Sequence, residues 1–436
     1  MRIKSLYLKN FRCFEELTIN FPTDYTVFIG NNGAGKSSIL NALQISLNLF
    51  VDATQHDMRE HLYSIQSHTI QESDVKIKKV SSGSVLNKEL QYPTILKLDL
   101  SLSDKKTTSW KFELSDSPNN NIDDLKSILK YVGELQNKVN KKNSTILPII
   151  AYYGVRRQWD KNDDRPKKEI SFLPRMNGYT NSLSAKPFNI EVMRHWFSRM
   201  LLIARKKPVP EFEAVRNAIS SCYKGIDDRK NLKDVIIDYD AEQEDIEIQM
   251  YFDDDKVEVL PLHYLSDGAK SILAIVADIA YRMAVLNPHL LDKVITDTDG
   301  IVLIDEIDMH LHPSWQRKII DSLHKTFPKV QFIFTTHSPT VLTNVPKENI
   351  QILKDGKIFN TETNTYGRDV NSILREVMQT EIRPSEVKEK LTAFSNAIDD
   401  SDLDTAETLL KELRKILGDN DSEVVGAQVT LDLEKI

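Results

Sequence analysis

Residues 25–51 read YTVFIGNNGAGKSSILNALQISLNLFV: an apolar run, a glycine-rich loop and a helical apolar pattern follow one another without a break. The loop, Gly30 to Ser37, has the spacing G-x-x-x-x-G-K-[ST], and it has the two flanks that this motif requires. Glycines let such a loop curl until successive backbone N–H groups and the helix N-terminus point at one anion. Lys36 is then expected to reach the β- and γ-phosphates of a nucleoside triphosphate, and the Ser37 hydroxyl to ligate Mg²⁺. The nucleotide contacts expected here are Asn31, Asn32, Gly33, Ala34, Gly35, Lys36, Ser37 and Ser38, with ATP and Mg²⁺ as cofactors. Beyond the loop, Ile39, Leu40, Leu43, Ile45, Leu47 and Leu49 continue a helix to about Val51.

Far downstream, Ile301-Val302-Leu303-Ile304 is a second apolar run and ends on Asp305-Glu306. An open α/β sheet places its ligand chemistry at the carboxyl ends of its strands. Asp305 is therefore expected to hold the Mg²⁺ hydration shell, and Glu306 to orient and polarise an attacking water. An apolar run closing on two solvated acids is common by itself; the phosphate loop upstream gives it meaning. Val330-Gln331-Phe332-Ile333-Phe334-Thr335-Thr336 is a third run, ending at His337. A lone histidine is usually a packed one, but the inferred sheet puts this one at the same end as Asp305, so a γ-phosphate contact is expected of it. Residues 261–345 alternate helix and buried strand, the pattern of a mostly parallel sheet covered by helices.

Composition sets the outer bounds. The chain has 436 residues, 40% of them hydrophobic, which suffices for one large core with insertions or for two domains. A net charge of −7 argues against a generally basic nucleic-acid coat and leaves local basic surfaces open. Candidate DNA-contacting loops hold Lys76, Lys78 and Lys79; Lys141 and Lys142; Arg156 and Arg157; Arg165, Lys167 and Lys168; and Arg205, Lys206 and Lys207. Solvated faces explain them equally well. Two cysteines, Cys13 and Cys222, are too few for a disulfide framework or a zinc site. No run of roughly 18 apolar residues offers a membrane span, so a cytoplasmic protein with no membrane role is expected.

Texture divides the chain further. Residues 1–53 form the lobe with the phosphate loop and open as strand, polar turn, strand. Residues 54–145 turn polar, with Asn119-Asn120-Asn121 among them, and are expected to be an insertion with strands and a helix. Residues 146–260 combine an apolar strand ending at Gly154, a basic loop, a helical arm broken near Pro208 and Pro210, and a hairpin turning at Asp253-Asp254-Asp255. Residues 261–360 hold the acidic strand and the histidine strand. Residues 361–436 are expected to be a helical extension for a partner or for self-association. There, Asp399-Asp400-Ser401-Asp402-Leu403-Asp404 lacks a preceding apolar strand and reads as a helix-capping acidic turn rather than a nuclease metal site.

The segment Leu265-Ser266-Asp267-Gly268-Ala269-Lys270-Ser271 resembles the LSGGQ-like signature of ABC ATPases, and it stands in that family's order with the phosphate loop, Asp305-Glu306 and His337. Leu8-Lys9-Asn10-Phe11-Arg12-Cys13-Phe14 is similar to the N-terminal strand-turn of RecF, SMC and Rad50-like ATPases. Ile307-Asp308-Met309-His310-Leu311-His312-Pro313 is similar to the D-loop of OLD-like and RecF-like bacterial ATPases. The resemblance implies an α/β fold, an ABC-type ATPase head with a mixed sheet and helices around a P-loop core, a helical insertion and a C-terminal helical extension. It implies that Ser266, Asp267, Gly268 and Lys270 of one copy close over the nucleotide held by another, in a homodimer or a higher oligomer of dimers. Arg12 would approach the nucleotide, and His310 and His312 would lie in the D-loop. A glutamine loop would add a metal contact, from Gln158 or, as the second candidate, Gln71. Asp267 departs from LSGGQ by replacing a glycine.

IIAYYGVRRQ (149–158), FEAVRNAI (212–219), GIVLIDEIDMHLHPSWQ (300–316) and FPKVQFIFTTHSPTVL (327–342) resemble the ATPase subunits of Septu-type bacterial anti-phage systems, the PtuA family, which also occur beside some retrons. That resemblance implies a slow, regulatory ATPase in defence, beside a separately encoded HNH nuclease. Two other readings stay open: a RecF-like DNA repair or recombination ATPase, and a nearly inactive nucleotide-dependent scaffold.

Overall fold

The computed structural model describes residues 1–22, 24–55, 70–82, 85–102, 107–116, 125–141, 144–155, 175–184 and 190–435. The basic candidates Lys142, Arg156, Arg157, Arg165, Lys167 and Lys168 lie outside these residues.

The chain opens with a hairpin of β1 (Arg2–Phe11) and β2 (Phe14–Asn20), closed by Arg12 and Cys13 alone because Phe11 pairs with Phe14. So tight a loop calls for left-handed backbone, and Arg12 has φ 49°. Next, β3 (Tyr25–Gly30) runs into the phosphate loop, and α1 (Lys36–Gln55) leaves it with Ile39, Leu40, Leu43 and Leu47 fully buried. The hairpin β4 (Ile77–Ser82) and β5 (Val85–Leu90) follows, then β6 (Thr94–Ser101), β7 (Thr107–Leu114) and α2 (Lys126–Asn140).

Read from the sequence as an insertion, residues 54–145 are partly integral to the first lobe. β6 pairs antiparallel with β1 and extends a sheet of order β2-β1-β6-β7. The alternation from Ile95 to Leu100 marks a strand, but a strand's partner is decided by which apolar faces meet, and that is not local information. Trp110 of β7, 1% exposed, donates its indole N–H to the Ser46 carbonyl of α1 at 3.0 Å. This sheet is thereby fastened to the helix that leaves the phosphate loop.

The second half continues with β8 (Ile149–Tyr153), α3 (Ile190–Ala204), α4 (Pro210–Ile226) and an antiparallel sheet of β9 (Leu232–Asp240), β10 (Asp245–Phe252) and β11 (Val257–Pro261). There follow α5 (Asp267–Leu286), the short α6 (Val294–Asp297), β12 (Gly300–Ile304), α7 (Pro313–Thr326), β13 (Val330–Thr335), the short α8 (Pro339–Leu342), β14 (Ile350–Lys354) and β15 (Lys357–Asn360). The core sheet has the order β15-β14-β3-β13-β12-β8 and is parallel except for β15. Every residue of β8, β12 and β13 is buried, as expected of parallel strands covered on both faces. In register, Phe28 lies opposite Thr335, Phe334 opposite Ile304, and Ile304 opposite Tyr153. The carboxyl ends of β13, β12 and β8 are therefore level to within one residue, and β3 runs two residues past the end of β13 into the phosphate loop.

α5 is buried almost all round, the mark of a helix inside a core. Polar bonds pin it to β8 and to the segment leading into that strand. Midway, Asp278 accepts from the Tyr153 hydroxyl and from Arg282 Nε, each at 2.7 Å. Just past its end the fully buried Asn287 donates to the Leu147 carbonyl at 2.8 Å and to Thr298 Oγ1 at 3.1 Å, and accepts the Leu147 N–H at 2.8 Å.

A second compact unit spans Asp369–Ile436. It holds α9 (Val370–Glu376), α10 (Ser385–Asp399), α11 (Leu403–Leu417) and α12 (Ser422–Glu434), the last three packed around Val387, Phe394, Ala406, Leu410, Leu413 and Val424. The acidic turn before α11 is a helix cap, because the Asp402 carboxylate accepts the Thr405 N–H at 3.1 Å. Among the described residues no helix is long and apolar enough to cross a membrane.

Replacing Asn287 with Ala strips partners from both the N–H and the C=O of Leu147 in a dry interior. Asn287→Ala is expected to cost about 3 kcal/mol, and Thr298→Ala, which removes one bond, about 1 kcal/mol. Denaturant midpoints of the two variants check the ratio.

Candidate functional site

The phosphate loop is held from within and from above. The Ala34 N–H donates to the Asn31 carbonyl at 3.1 Å, and the Ile39 N–H to the Gly35 carbonyl at 3.0 Å. Gly35 (φ 104°) has no room for a side chain, since a Cβ there would stand 2.5 Å from the Phe14 ring and 2.6 Å from Cys13 Sγ. The β1–β2 turn thus rests on the loop. Asn31, Asn32, Gly33 and Ser37 are exposed at the rim, Ala34 and Ser38 partly so, and Lys36 is 6% exposed. Its ammonium donates to the carbonyls of Gly30 at 2.8 Å and Asn31 at 3.2 Å. Burial pulls the Lys36 pKa below its usual value, against the opposing pull of Asp305, Glu306 and Asp308.

At the end of β12, Asp305 is buried and accepts hydroxyl protons from Ser37, at 3.3 Å, and from Thr335. Thr335 Oγ1 in turn accepts the Glu306 N–H at 2.7 Å, and the Thr335 carbonyl accepts the Ile307 N–H at 3.0 Å. One fully buried threonine on the neighbouring strand therefore orients both acids. Glu306 takes up φ 48°, a left-handed conformation that a non-glycine residue holds only when its surroundings impose it. The next threonine does the same for the D-loop: Thr336 donates to Asp308 Oδ1 at 2.6 Å and accepts the Ser338 N–H at 3.0 Å. Gln316 of α7 completes the tie, accepting from the Ser338 hydroxyl at 2.7 Å and donating to the Leu311 carbonyl at 3.0 Å. Thr335, Thr336, Asp308 and Gln316 were not singled out by the sequence reading. The readable signal was two adjacent hydroxyls closing a strand that is otherwise Val-Gln-Phe-Ile-Phe.

His337 lies half-buried between these ties. Burial, then the Lys36 charge, holds its imidazole below the ordinary histidine pKa, while Glu306, Asp308 and Asp305 oppose that shift. Lys36, Ser37, Asp305, Glu306 and His337 thus form one electrostatic cluster. Ser37 and Asp305 offer two hard oxygen donors side by side, and among the described residues no group of three or more His, Cys, Asp or Glu forms a protein cage. That set suits Mg²⁺, which keeps waters and substrate phosphates as its other ligands.

A second group surrounds the start of α5. Ser266 is exposed and caps the helix, its Oγ accepting the Ala269 N–H at 3.3 Å. Asp267 is exposed beside it, with its carboxylate 3.8 Å from Lys270 Nζ. Gly268 is buried because the D-loop rests on it: a Cβ there would stand 2.3 Å from the His310 carbonyl oxygen. His310 is exposed at φ 64°, and exposed His312 caps α7, its Nδ1 accepting the Ser314 N–H at 3.4 Å. The D-loop, beginning after Glu306, joins the two groups.

The remaining candidates go to different places. Arg12 is paired with Asp74, its Nε 2.9 Å and its Nη2 2.8 Å from Oδ1. Gln71 lies on the short turn that carries Asp74. Gln158 lies outside the described residues, although β8, the strand before it, ends beside the acids, where the Asp305 N–H donates to the Tyr153 carbonyl at 2.8 Å.

A family model described as an AAA ATPase domain matches residues 1–342. The chain is 29% identical over 447 residues to the Retron Ec83 probable ATPase of Escherichia coli, an alignment covering 89% of this chain and 78% of that protein. It is 27% identical over 366 residues to the Septu protein PtuA of Bacillus mycoides (strain KBAB4), covering 81% of this chain and 41% of that protein. In structure it is similar to the SMC head domain from Thermotoga maritima, with a TM-score of 0.44 and 14% identity, over 83% of this chain and 100% of that one.

The His337 environment has a measurable consequence. A histidine held neutral in the fold contributes stability that is full above the unfolded value near about 6.5 and is lost as pH falls below it towards the folded value. An NMR titration is expected to place His337 below about 6.5, and Lys36→Met, which removes the neighbouring positive charge, is expected to move it upward.

Proposed function

The chain belongs to the AAA ATPase domain family, and from that premise we propose that it binds ATP with Mg²⁺ and hydrolyses it slowly, in a dimer whose two sites each need both copies. The supporting observation is the convergence of Lys36, Ser37, Asp305, Glu306 and His337 at one end of the core sheet. Phosphoryl transfer asks a protein for position and charge stabilisation rather than covalent help. The phosphate loop would cradle the β- and γ-phosphates with backbone N–H groups. Lys36 would exchange its two carbonyl acceptors for phosphate oxygens. Bound Mg²⁺ would neutralise developing charge, with Ser37 and Asp305 holding it. Glu306, fixed by its own N–H to Thr335, would orient the attacking water, and neutral His337 would donate one hydrogen bond to the γ-phosphate.

The dimer reading rests on α5. Its N-terminus is exposed, carries Ser266, and adds the partial positive charge of a 20-residue helix. A second copy would set this end against the triphosphate held by the first and close the site. The names of the retron and Septu relatives support a place in anti-phage defence, with ATP-driven closure regulating a separately encoded nuclease of HNH type. Exposed Arg205, Lys206 and Lys207 would contribute a salt-sensitive DNA contact.

Phosphate release by the purified chain, read beside sedimentation with and without ATP, tests this. Glu306→Gln is expected to lower turnover by about 10²–10³-fold while retaining ATP and accumulating as the dimer. Ser266→Arg is expected to bind ATP and remain monomeric. Equal turnover by Glu306→Gln and the unaltered chain would overturn the catalytic assignment and favour a nucleotide-dependent scaffold.

A further inference from the structure

The turn that rests on the phosphate loop is itself gripped from outside by residues 70–76. The Arg12 N–H donates to the Asp74 carbonyl at 2.7 Å, the Lys76 N–H to the Asn10 carbonyl at 2.9 Å, and Phe11 bridges Val75 in antiparallel fashion. These backbone bonds hold the turn whatever the side chain at 74. The Asp74 carboxylate adds something else. It is 4% exposed, its Oδ2 accepts the Gln71 N–H at 3.1 Å, and its Oδ1 takes both Arg12 Nε at 2.9 Å and Arg12 Nη2 at 2.8 Å. The Phe11 ring flanks the guanidinium, its centroid 5.4 Å from Arg12 Cζ. Arg12 is thus pinned along one edge and on one face.

We propose that Asp74 is a positioning residue for nucleotide binding: it holds the Arg12 guanidinium beside the phosphate loop with its outer N–H groups presented to a phosphate. The inference rests on the ATP reading above and adds the residue that makes Arg12 competent. A guanidinium has five N–H donors in a rigid fork, and Asp74 engages two of them, leaving the far edge for an anion. Arg12 keeps 34% of its side-chain surface in solvent, so that edge is reachable. Cys13 and Phe14, the next residues along, are the ones in contact with Gly35. A free arginine would pay its rotamer entropy at each binding event, whereas a pinned one meets the phosphate already ordered. The backbone N–H of Gln71, the second glutamine-loop candidate, anchors this clamp.

A double-mutant cycle on ATP affinity, measured by calorimetry on the full chain with Mg²⁺, tests the assignment. Asp74→Asn keeps the backbone clamp, so its melting temperature is expected to stay near that of the unaltered chain. Its ATP affinity is expected to fall about tenfold, the scale of a charge-assisted hydrogen bond. Arg12→Ala is expected to lose as much, and adding Asp74→Asn to Arg12→Ala to change affinity less than about twofold, because Asp74 then has nothing to position. Unchanged affinity in Asp74→Asn would overturn the proposal, as would a full tenfold loss persisting in the Arg12→Ala background. Lys36→Ala separates the two levels: if it abolishes ATP binding while Asp74→Asn does not alter it, only the Asp74 assignment fails. If Lys36→Ala binds ATP normally, the site reading fails and takes the assignment with it.

Discussion

The parallel register of β3, β13, β12 and β8 is the constraint on which the site depends. Parallel strands cannot be joined by short hairpins, so each arrives at the sheet after a long excursion and leaves from the same end. The residues following Ile304, Thr335 and Tyr153 therefore emerge within one residue of level with one another, with Gly30 two positions beyond Asp305 at the same end, although they are far apart in the chain. Charged and strained groups concentrate there because the strands themselves have no exposed residue to offer. The buried ends also explain why hydroxyl groups do the orienting. Thr335 can satisfy an acid and a backbone N–H together without adding a charge to a dry interior.

A second constraint is the attachment of α5 to β8. The Asp278–Arg282 pair and the Tyr153 hydroxyl lie in the interior, where an ion pair is tolerated only if its members are also hydrogen-bonded. Arg282 meets that condition by donating to the carbonyls of Gly178 at 2.8 Å and Thr180 at 3.0 Å. Burial first, and then the Asp278 charge, pushes the Tyr153 phenol well above its usual pKa, so it remains a donor throughout the physiological range. The helix bearing Ser266 is thus tied to the strand whose end supports the Asp305 backbone.

Some short segments of the chain determine their own conformation. Gly30 to Ser37 is such a segment, because glycine spacing and the flanking strand and helix dictate the curl without help from elsewhere. The runs before Asp305 and His337 are legible for a related reason: strands buried on both faces must be apolar throughout. Asp402 was readable as a cap from the helical pattern beside it. The first-lobe sheet was not readable in the same way. Nothing in residues 94–101 says that their partner is β1, nor in Asp74 that it faces Arg12, 62 positions earlier.

The amino-acid sequence by itself determined the phosphate loop, the apolar strands with acids and a histidine at their ends, and the helical character of the last 68 residues, since each is encoded within a window of local periodicity. Tertiary structure alone decided which strands pair, which threonines orient Asp305 and Glu306, how the D-loop comes to rest on Gly268, and what holds Arg12. Those are contacts between segments separated by tens to hundreds of residues. They follow from the meeting of apolar faces and from the need to satisfy every buried polar group, conditions that no local pattern expresses.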